Sequence, residues 1–477
     1  MEFEKYKLDK DILKALSYLQ YKNPSKVQEK AIPLLLDKKD LIVKSQTGSG
    51  KTASFGIPIC NNINSEDTNI GALVLVPTRE LAIQVKEELS SIGRLKKIRC
   101  AAIFGKQPFK EQERELKQRI HVVVGTPGRV IDHMKRGNLN FKSLSYVIVD
   151  EADKMMNMGF IDQIEEVLKR LPQKKVMALF SATLPEEIKG ICEKYMTNPI
   201  NLEVNAEVIN KPKIEESYLI VEDKDKLKAL IKHFYALTPE AAMVFCNTRG
   251  KVKEVYEALK SKGISVEQLH GDMEQKVRIN TMERFKAGEF RILVATDIAA
   301  RGIDVDQITH VFNYEVPMER ESYVHRIGRT GRAGREGTAI TLSSKYEEKF
   351  IRGIEEFIDY KIPLGAYPTD EAIKLGEEKF KEKQKNCKRR TVKKELLQKE
   401  VTKIYLGAGK KKKIRNIDIL GALSNLPELN GDDIGIIDVQ DAVSYVDILN
   451  NKGKNLLKKY PQLIIKGKKV KIEVAKK

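Results

Sequence analysis

The chain has 477 residues, with 86 Lys and Arg against 67 Asp and Glu, a net charge of +19. Hydrophobic residues make up 41% and charged residues 32%, which argues against a disordered chain and supplies cores for roughly three domains of about 100 to 200 residues. No apolar run approaches the ~18 residues of a membrane helix, and Met1 to Lys10 is charged throughout, so a soluble protein with neither membrane insertion nor secretion is expected.

Over the first 370 residues, short β-rich apolar runs alternate with helical segments. The runs are 41–43, 73–76, 121–124, 146–149 and 176–180, then 243–245, 264–269, 292–295 and 310–313. Continuous Val, Ile and Leu separated by helices indicates parallel strands buried on both faces. Two doubly wound α/β domains, divided near residues 205–213, are expected, with ligands at the carboxyl ends of their strands. Cys60, Cys100, Cys192, Cys246 and Cys387 are scattered without a C-x-x-C pair, which points to free thiols in a reducing cytoplasm rather than to a zinc site or disulfides.

The excess charge sits at the C-terminal end. Residues 371–477 hold 27 basic and 14 acidic residues, leaving only +6 for the first 370. Residues 371–400, bounded by Pro363 and Pro368, read as a basic linker, either a solvated helix face or a direct nucleic-acid contact. The strong basic balance points to a polyanionic partner.

After the strand ending at Val43 comes Ser45-Gln46-Thr47-Gly48-Ser49-Gly50-Lys51-Thr52 and then a helix. Small residues let backbone wrap around phosphates and the helix N-terminus directs N–H groups at them. Lys51 can reach the β and γ oxygens and the Thr52 hydroxyl can ligate Mg²⁺. The strict pattern has Gly where Ser45 stands, and a small residue suffices. The strand 146–149 leads into Asp150-Glu151-Ala152-Asp153, placing Asp150 to hold Mg²⁺ and Glu151 to orient or deprotonate the attacking water.

These residues resemble the DEAD-box ATP-dependent RNA helicases. The further motifs follow in order: Pro77-Thr78-Arg79-Glu80-Leu81, Thr126-Pro127-Gly128-Arg129, Ser181-Ala182-Thr183, Ala295-Thr296-Asp297 through Arg301-Gly302-Ile303-Asp304, and His325-Arg326-Ile327-Gly328-Arg329-Thr330-Gly331-Arg332. The resemblance implies two RecA-like parallel-sheet domains closing around ATP and RNA. It implies that Gln28, in Pro24-Ser25-Lys26-Val27-Gln28, reads adenine. Phe3 would stack on the base, unless it staples the first helix instead. Arg329 and Arg332 resemble arginine fingers, and Gly302 and Asp304 would contact the nucleotide. Ser181 and Thr183 would link Asp150 and Glu151 to His325. The RNA-facing set would be Pro77, Thr78, Arg79, Thr126, Gly128, Arg129, Gln275, Arg278, Thr296 and Asp297. One departure is visible: where relatives commonly carry a double glycine after the fourth strand, this chain has Gly105-Lys106.

Residues 402–477 form a separate unit. The segments 403–409 and 442–448 resemble the first and third strands of an RNA recognition motif, a small α+β fold that stacks bases on exposed aromatics. Tyr405 and Tyr445 take two expected positions, but Val443 takes a third. Basic loops, Lys410, Lys411, Lys412 and Lys413 with Arg415, and Lys466, Lys468, Lys469 and Lys471, offer another surface. The arrangement resembles the bacterial DbpA/YxiN group. That implies an ATP- and Mg²⁺-dependent cytoplasmic helicase targeted to 23S rRNA during large-subunit assembly. The expected domains are 1–207, 213–364, a basic linker 365–401 and 402–477. The core motifs leave open an ATP-gated RNA clamp with little net unwinding.

Overall fold

The structure, a computed structural model, describes residues 2–45, 49–204, 214–297, 308–331, 336–385 and 400–475. Among them, 2–45, 50–204 and 400–475 form one unit and 214–385 a second. No helix among the described residues is long and apolar enough to cross a membrane.

The first unit is built on seven strands: β1 (Leu41–Lys44), β2 (Ala72–Leu75), β3 (Cys100–Ile103), β4 (Val122–Gly125), β5 (Tyr146–Asp150), β6 (Val176–Ser181) and β7 (Ile200–Glu203). They pair in parallel in the order β3-β4-β2-β5-β6-β1-β7. Side-chain alternation divides the core into two layers. Leu41, Val43, Val74 and Ile148 pack with Phe55 and Phe180 on one face, and Leu73, Leu75, Val147 and Val149 pack with Met155 and Ile164 on the other. Each such side chain, wholly removed from water, contributes roughly 1.5–3 kcal/mol.

The five apolar runs of this region correspond to β1, β2, β4, β5 and β6. The edge strands escape the pattern. β3 reads Cys-Ala-Ala-Ile, with small residues in place of a β-branched run, and β7 alternates half-buried and exposed positions. One consequence is a correction of strand count: Gly105-Lys106 follows the third strand, not the fourth. Lys106 there adopts φ +62°, the left-handed conformation that glycine takes without strain.

The second unit holds β8 (Ile214–Ile220), β9 (Ala242–Phe245), β10 (Val266–Leu269), β11 (Ile292–Ala295), β12 (His310–Asn313) and β13 (Gly337–Ser343), parallel in the order β10-β11-β9-β12-β13-β8. Part of the expected linker packs on this unit. Asp370–Lys385 is a helix packed on the helix Lys226–Leu237, with Phe380 1% exposed and stacked 6.0 Å from Phe234. A Cβ on Gly376 would collide with the carbonyl oxygen of Tyr235, so glycine sets how closely the two helices approach. Polar ties hold the helix end: Arg291 donates to Lys383 O at 2.8 Å, and Glu240 pairs with Lys383 at 2.6 Å and Arg291 at 2.9 Å. Residues 386–399 of the expected linker lie outside the described residues.

The C-terminal part of the first unit is an antiparallel sheet of β14 (Thr402–Leu406), β15 (Ile434–Val439), β16 (Ser444–Ile448), β17 (Gln462–Ile465) and β18 (Lys468–Val474), in the order β15-β16-β14-β18-β17. Ile404, Leu406, Val446 and Ile448 point into its core, against Ile419 and Leu423 of the helix Asn416–Ser424. On the other face, Asp447 pairs with Arg94 at 3.1 Å, its side chain 4% exposed, while Ala15, Leu95, Val401 and Leu449 share a small apolar cluster.

Candidate nucleotide and nucleic-acid sites

β1 delivers Ser45, buried, to the phosphate loop; Gln46, Thr47 and Gly48 lie outside the described residues. Ser49 and Gly50 are half-buried, and the helix Lys51–Asn62 starts after Gly50, which holds φ +88°. A Cβ at Gly50 would come within 2.5 Å of Gln28 Nε2, so both conformation and approach require glycine. Lys51 is 7% exposed and donates to Ser45 O at 3.1 Å, across the loop it is expected to serve. Thr52 follows it, half-buried in the first helical turn.

Gln28 is the third residue of its helix and closes a capping box with Ser25. Its Oε1 accepts from Ser25 N at 2.9 Å and its Nε2 donates to Gly50 O at 3.1 Å. A primary amide carries two donors and two lone pairs, so one of each remains for the edge of a base. Phe3 has no exposed surface and meets Tyr6 and Tyr21 edge-on, centroids 6.1 and 6.3 Å away, packed in the core of the first unit.

Asp150 ends β5 and is 3% exposed. Burial pushes its pKa up to about 6, with Lys51 pulling it down and Glu151 pushing it further up. Glu151 takes φ +54°, and its Oε1 pairs with Lys154 Nζ at 2.6 Å, side chains 7% and 9% exposed. Ser181 meets the neighbouring acid of the same motif. Asp153 N donates to Ser181 Oγ at 3.1 Å, and Asp153 Oδ2 accepts from Ala182 N at 3.2 Å. Ser45 N donates to Ser181 O at 3.0 Å, which ties the phosphate loop to the same point. Thr183 is exposed. Asp153 and Lys154 are thus site residues that sequence reasoning left without a role, although Asp153 stood inside the quoted motif.

The carboxyl ends of β2, β3 and β4 carry part of the expected RNA set. Pro77 is buried, and Thr78 caps the helix Arg79–Ile92, its hydroxyl accepting from Leu81 N at 3.2 Å. Gly105 lies beside Arg79, whose guanidinium would be 3.9 Å from a Cβ placed there. Thr126 and Gly128 are half-buried at the start of the helix Pro127–Lys135. Arg129, 14% exposed in its side chain, donates through Nη1 to Gln107 O at 3.2 Å and Gln112 Oε1 at 3.0 Å.

In the second unit, Gln275 and Arg278 lie on the first turn of the helix Gln275–Lys286, the former half-buried and the latter 8% exposed. Thr296, half-buried after β11, donates its backbone N–H to Leu269 O at 3.3 Å. Asp297 anchors an arginine: its two oxygens accept from Arg326 Nε and Nη2, both at 2.6 Å. Arg326 is 1% exposed and also donates to Asn247 Oδ1 at 2.7 Å and Glu315 O at 2.9 Å. This buried hub fixes the helix Arg320–Ile327, which carries His325, half-buried, and leads to Arg329, 5% exposed with Nε donating to His325 O at 3.2 Å. Gly302, Asp304 and Arg332 lie outside the described residues.

In the C-terminal sheet, Tyr405 and Tyr445 face each other across β14 and β16, centroids 5.9 Å apart. Lys410, Lys411, Lys412, Lys413 and Arg415 are all exposed. Their loop is knitted to the turn before β18: Lys466 Nζ donates to Lys413 O and Lys468 Nζ to Lys412 O, each at 3.1 Å.

Comparison with known proteins matches these three parts. The DEAD/DEAH box helicase family matches residues 25–191, the helicase conserved C-terminal domain residues 225–334, and the DbpA RNA binding domain residues 403–474. The chain is 45% identical over 476 residues to the ATP-dependent RNA helicase DbpA of Bacillus subtilis (strain 168), covering 100% of this chain and 99% of that one. The chain belongs to the DEAD-box ATP-dependent RNA helicases. It is similar also to the DEAD-box ATP-dependent RNA helicase CshA of Geobacillus kaustophilus (strain HTA426), 44% identical over 372 residues, 78% of this chain and 80% of that one. Among solved structures, S. cerevisiae Dbp5 bound to RNA and ADP BeF3 matches with a TM-score of 0.70 at 31% identity, over 79% of this chain and 99% of that one. Mss116p bound to ssRNA and AMP-PNP matches with a TM-score of 0.68 at 30% identity, over 79% and 80%. As a DEAD-box helicase the protein hydrolyses ATP and binds RNA, and its DbpA-type domain is an RNA-binding domain.

Proposed function

We propose that this helicase opens short RNA duplexes in large-subunit ribosomal precursors in the cytoplasm, with 23S rRNA chosen by residues 402–475. The observation that carries the RNA assignment is the pair of knitted basic loops, 410–415 and 466–468, set apart from a sheet face on which Asp447 is committed to Arg94. Lysines presented by two joined loops suit a folded phosphate backbone, whereas a face carrying a buried aspartate does not. Binding through the loops is therefore favoured over stacking on Tyr405 and Tyr445.

In the core, Lys51 leaves Ser45 O for the β and γ phosphates, and residues 45–52 wrap the phosphates with backbone N–H groups. Gln28 offers its remaining donor and acceptor to adenine. Thr52 and Asp150 are the residues that would hold Mg²⁺. A hydroxyl at a helix start and a buried carboxylate with a raised pKa fit a hard divalent cation that also takes phosphate oxygens. When bound, the ion neutralises charge on the phosphates. Glu151, held by Lys154, orients the attacking water, and Arg329 and Arg332 balance charge on the transferring phosphoryl group. Asp153 carries the state of this site to Ser181 and Ala182. Thr78, Arg79, Thr126, Gly128, Arg129, Gln275, Arg278 and Thr296 contact the RNA backbone without reading sequence.

Crosslinking the full chain to cellular RNA and sequencing what is held tests the target. Enrichment of 23S rRNA is expected; enrichment of messenger RNA would overturn the ribosomal assignment.

A further inference from the structure

Gln112 sits in the helix Phe109–Leu116 with no exposed surface, between charged neighbours Glu111 and Glu113. Every hydrogen-bonding position of its amide is filled. Nε2 donates to Phe104 O and to Gln107 Oε1, both at 2.8 Å. Oε1 accepts from Arg129 Nη1 at 3.0 Å and from His133 Nε2 at 3.1 Å. The pattern admits one orientation only, because reversing the amide would set its N–H groups against a guanidinium and its oxygen against a carbonyl. It also fixes the imidazole: Nε2 carries the proton and Nδ1 accepts from Asn138 Nδ2 at 3.1 Å. Phe109 closes the cluster, stacked on His133 with centroids 4.1 Å apart at 13°, and capped by the Arg136 guanidinium 4.1 Å from the ring centroid.

One amide therefore joins two parts of the first unit that are distant in sequence. One is the turn 104–108, containing Gly105 and the left-handed Lys106. The other is the helix Pro127–Lys135, which carries Arg129. Arg129 donates to Gln107 O as well, so turn, amide and guanidinium form a closed ring of hydrogen bonds. These contacts use Nη1, and Nε lies 3.7 Å from Asp132 Oδ2; among the described residues nothing bonds Nη2.

We propose that Gln112 is a positioning residue for RNA. It holds Arg129 and the 104–108 turn as one preorganised phosphate-binding surface, and it touches no RNA itself. A guanidinium fixed before binding loses little rotamer freedom when a phosphate arrives. In this chain the constraint matters more because Lys106 stands where a glycine would relax the turn. The proposal rests on the reading of Arg129 as an RNA contact.

The test is the RNA concentration giving half-maximal ATP turnover, measured for Gln112→Leu, Arg129→Ala and the double variant of the full chain. Leucine keeps the volume and removes all four bonds. Gln112→Leu is expected to raise the half-saturating RNA concentration about tenfold, the worth of one charge-assisted hydrogen bond, with turnover at saturating RNA and the ATP half-saturation unchanged. In the Arg129→Ala background the same substitution is expected to add almost nothing, because its effect runs through Arg129. An equal effect in both backgrounds would overturn the proposal, as would a lower melting temperature with unaltered RNA half-saturation. No effect of Arg129→Ala alone would instead remove the reading beneath it. Should Gln112→Leu not fold, Gln107→Ala removes one of the four bonds from a half-buried position. A two- to fourfold weakening on the order of a partial loss, again absent with Arg129→Ala, is then expected.

Discussion

His133 has no exposed surface, and burial pushes its pKa down to about 4, with Arg129 and Arg136 adding to the effect. The folded chain therefore favours the neutral ring, and the stability this gives is complete above the unfolded value near 6.5 and is lost as pH falls through 4. Relative to His133→Gln, the wild type should lose on the order of 2–3 kcal/mol between pH 7 and pH 4, read from urea denaturation at each pH. A difference that stays constant over that range would contradict the assignment. At this scale the sequence was legible where function imposes a motif. Lys51, Asp150 and Arg329 stand at fixed offsets from strands and glycines, and the structure finds Lys51 at the start of the helix that follows β1 and Asp150 at the end of β5. Gln112 was not legible: an amide among Glu and Arg in Phe-Lys-Glu-Gln-Glu-Arg-Glu-Leu has no pattern to mark it, and its importance comes from four partners supplied by tertiary structure.

The helix Asp370–Lys385 shows how composition misleads about an element. Its charged residues outnumber its apolar ones, yet Phe380 enters the second core beside Phe234 and Phe312. Gly376 permits the approach. Phe380→Ala should cost about 3–5 kcal/mol and Gly376→Val about 1–3 kcal/mol of stability, measured by urea unfolding. An effect near zero for both would mean that the helix does not pack there. Most strands were legible where a sheet buries both faces, since β2, β4 and β5 are buried at every position and mostly apolar; β13, interior but interrupted by Gly, Thr and Ser, was not. The edge strands β3, β7 and β8 were not, because β7 and β8 alternate with polar residues and β3 has little β-branched character, whereas the edge strand β10 was. The helix formed by 370–385 was missed for the same reason that β7 and β8 were: one buried face carries few apolar side chains.

For the molecule as a whole, the uneven charge gains a structural meaning. Of the +13 of residues 371–477, +8 lies in residues 402–477, whose lysines crowd two joined loops, +4 in residues 386–400, and only +1 in residues 371–385 of the helix that belongs to the second unit. The two sheet units carry ATP chemistry with only a small share of the excess. Arg329→Ala should leave ATP binding within about twofold while lowering RNA-stimulated turnover by roughly 10³-fold or more, measured by nucleotide titration and steady-state hydrolysis. Undiminished turnover would remove Arg329 from the hydrolytic site. The division of labour between core and C-terminal domain has a direct measurement, the RNA concentration for half-maximal ATP turnover by the full chain. It is compared for 23S rRNA and for a non-ribosomal RNA of equal length at one salt concentration. A value for 23S rRNA lower by about 100-fold or more is predicted; equal values for the two RNAs would contradict it.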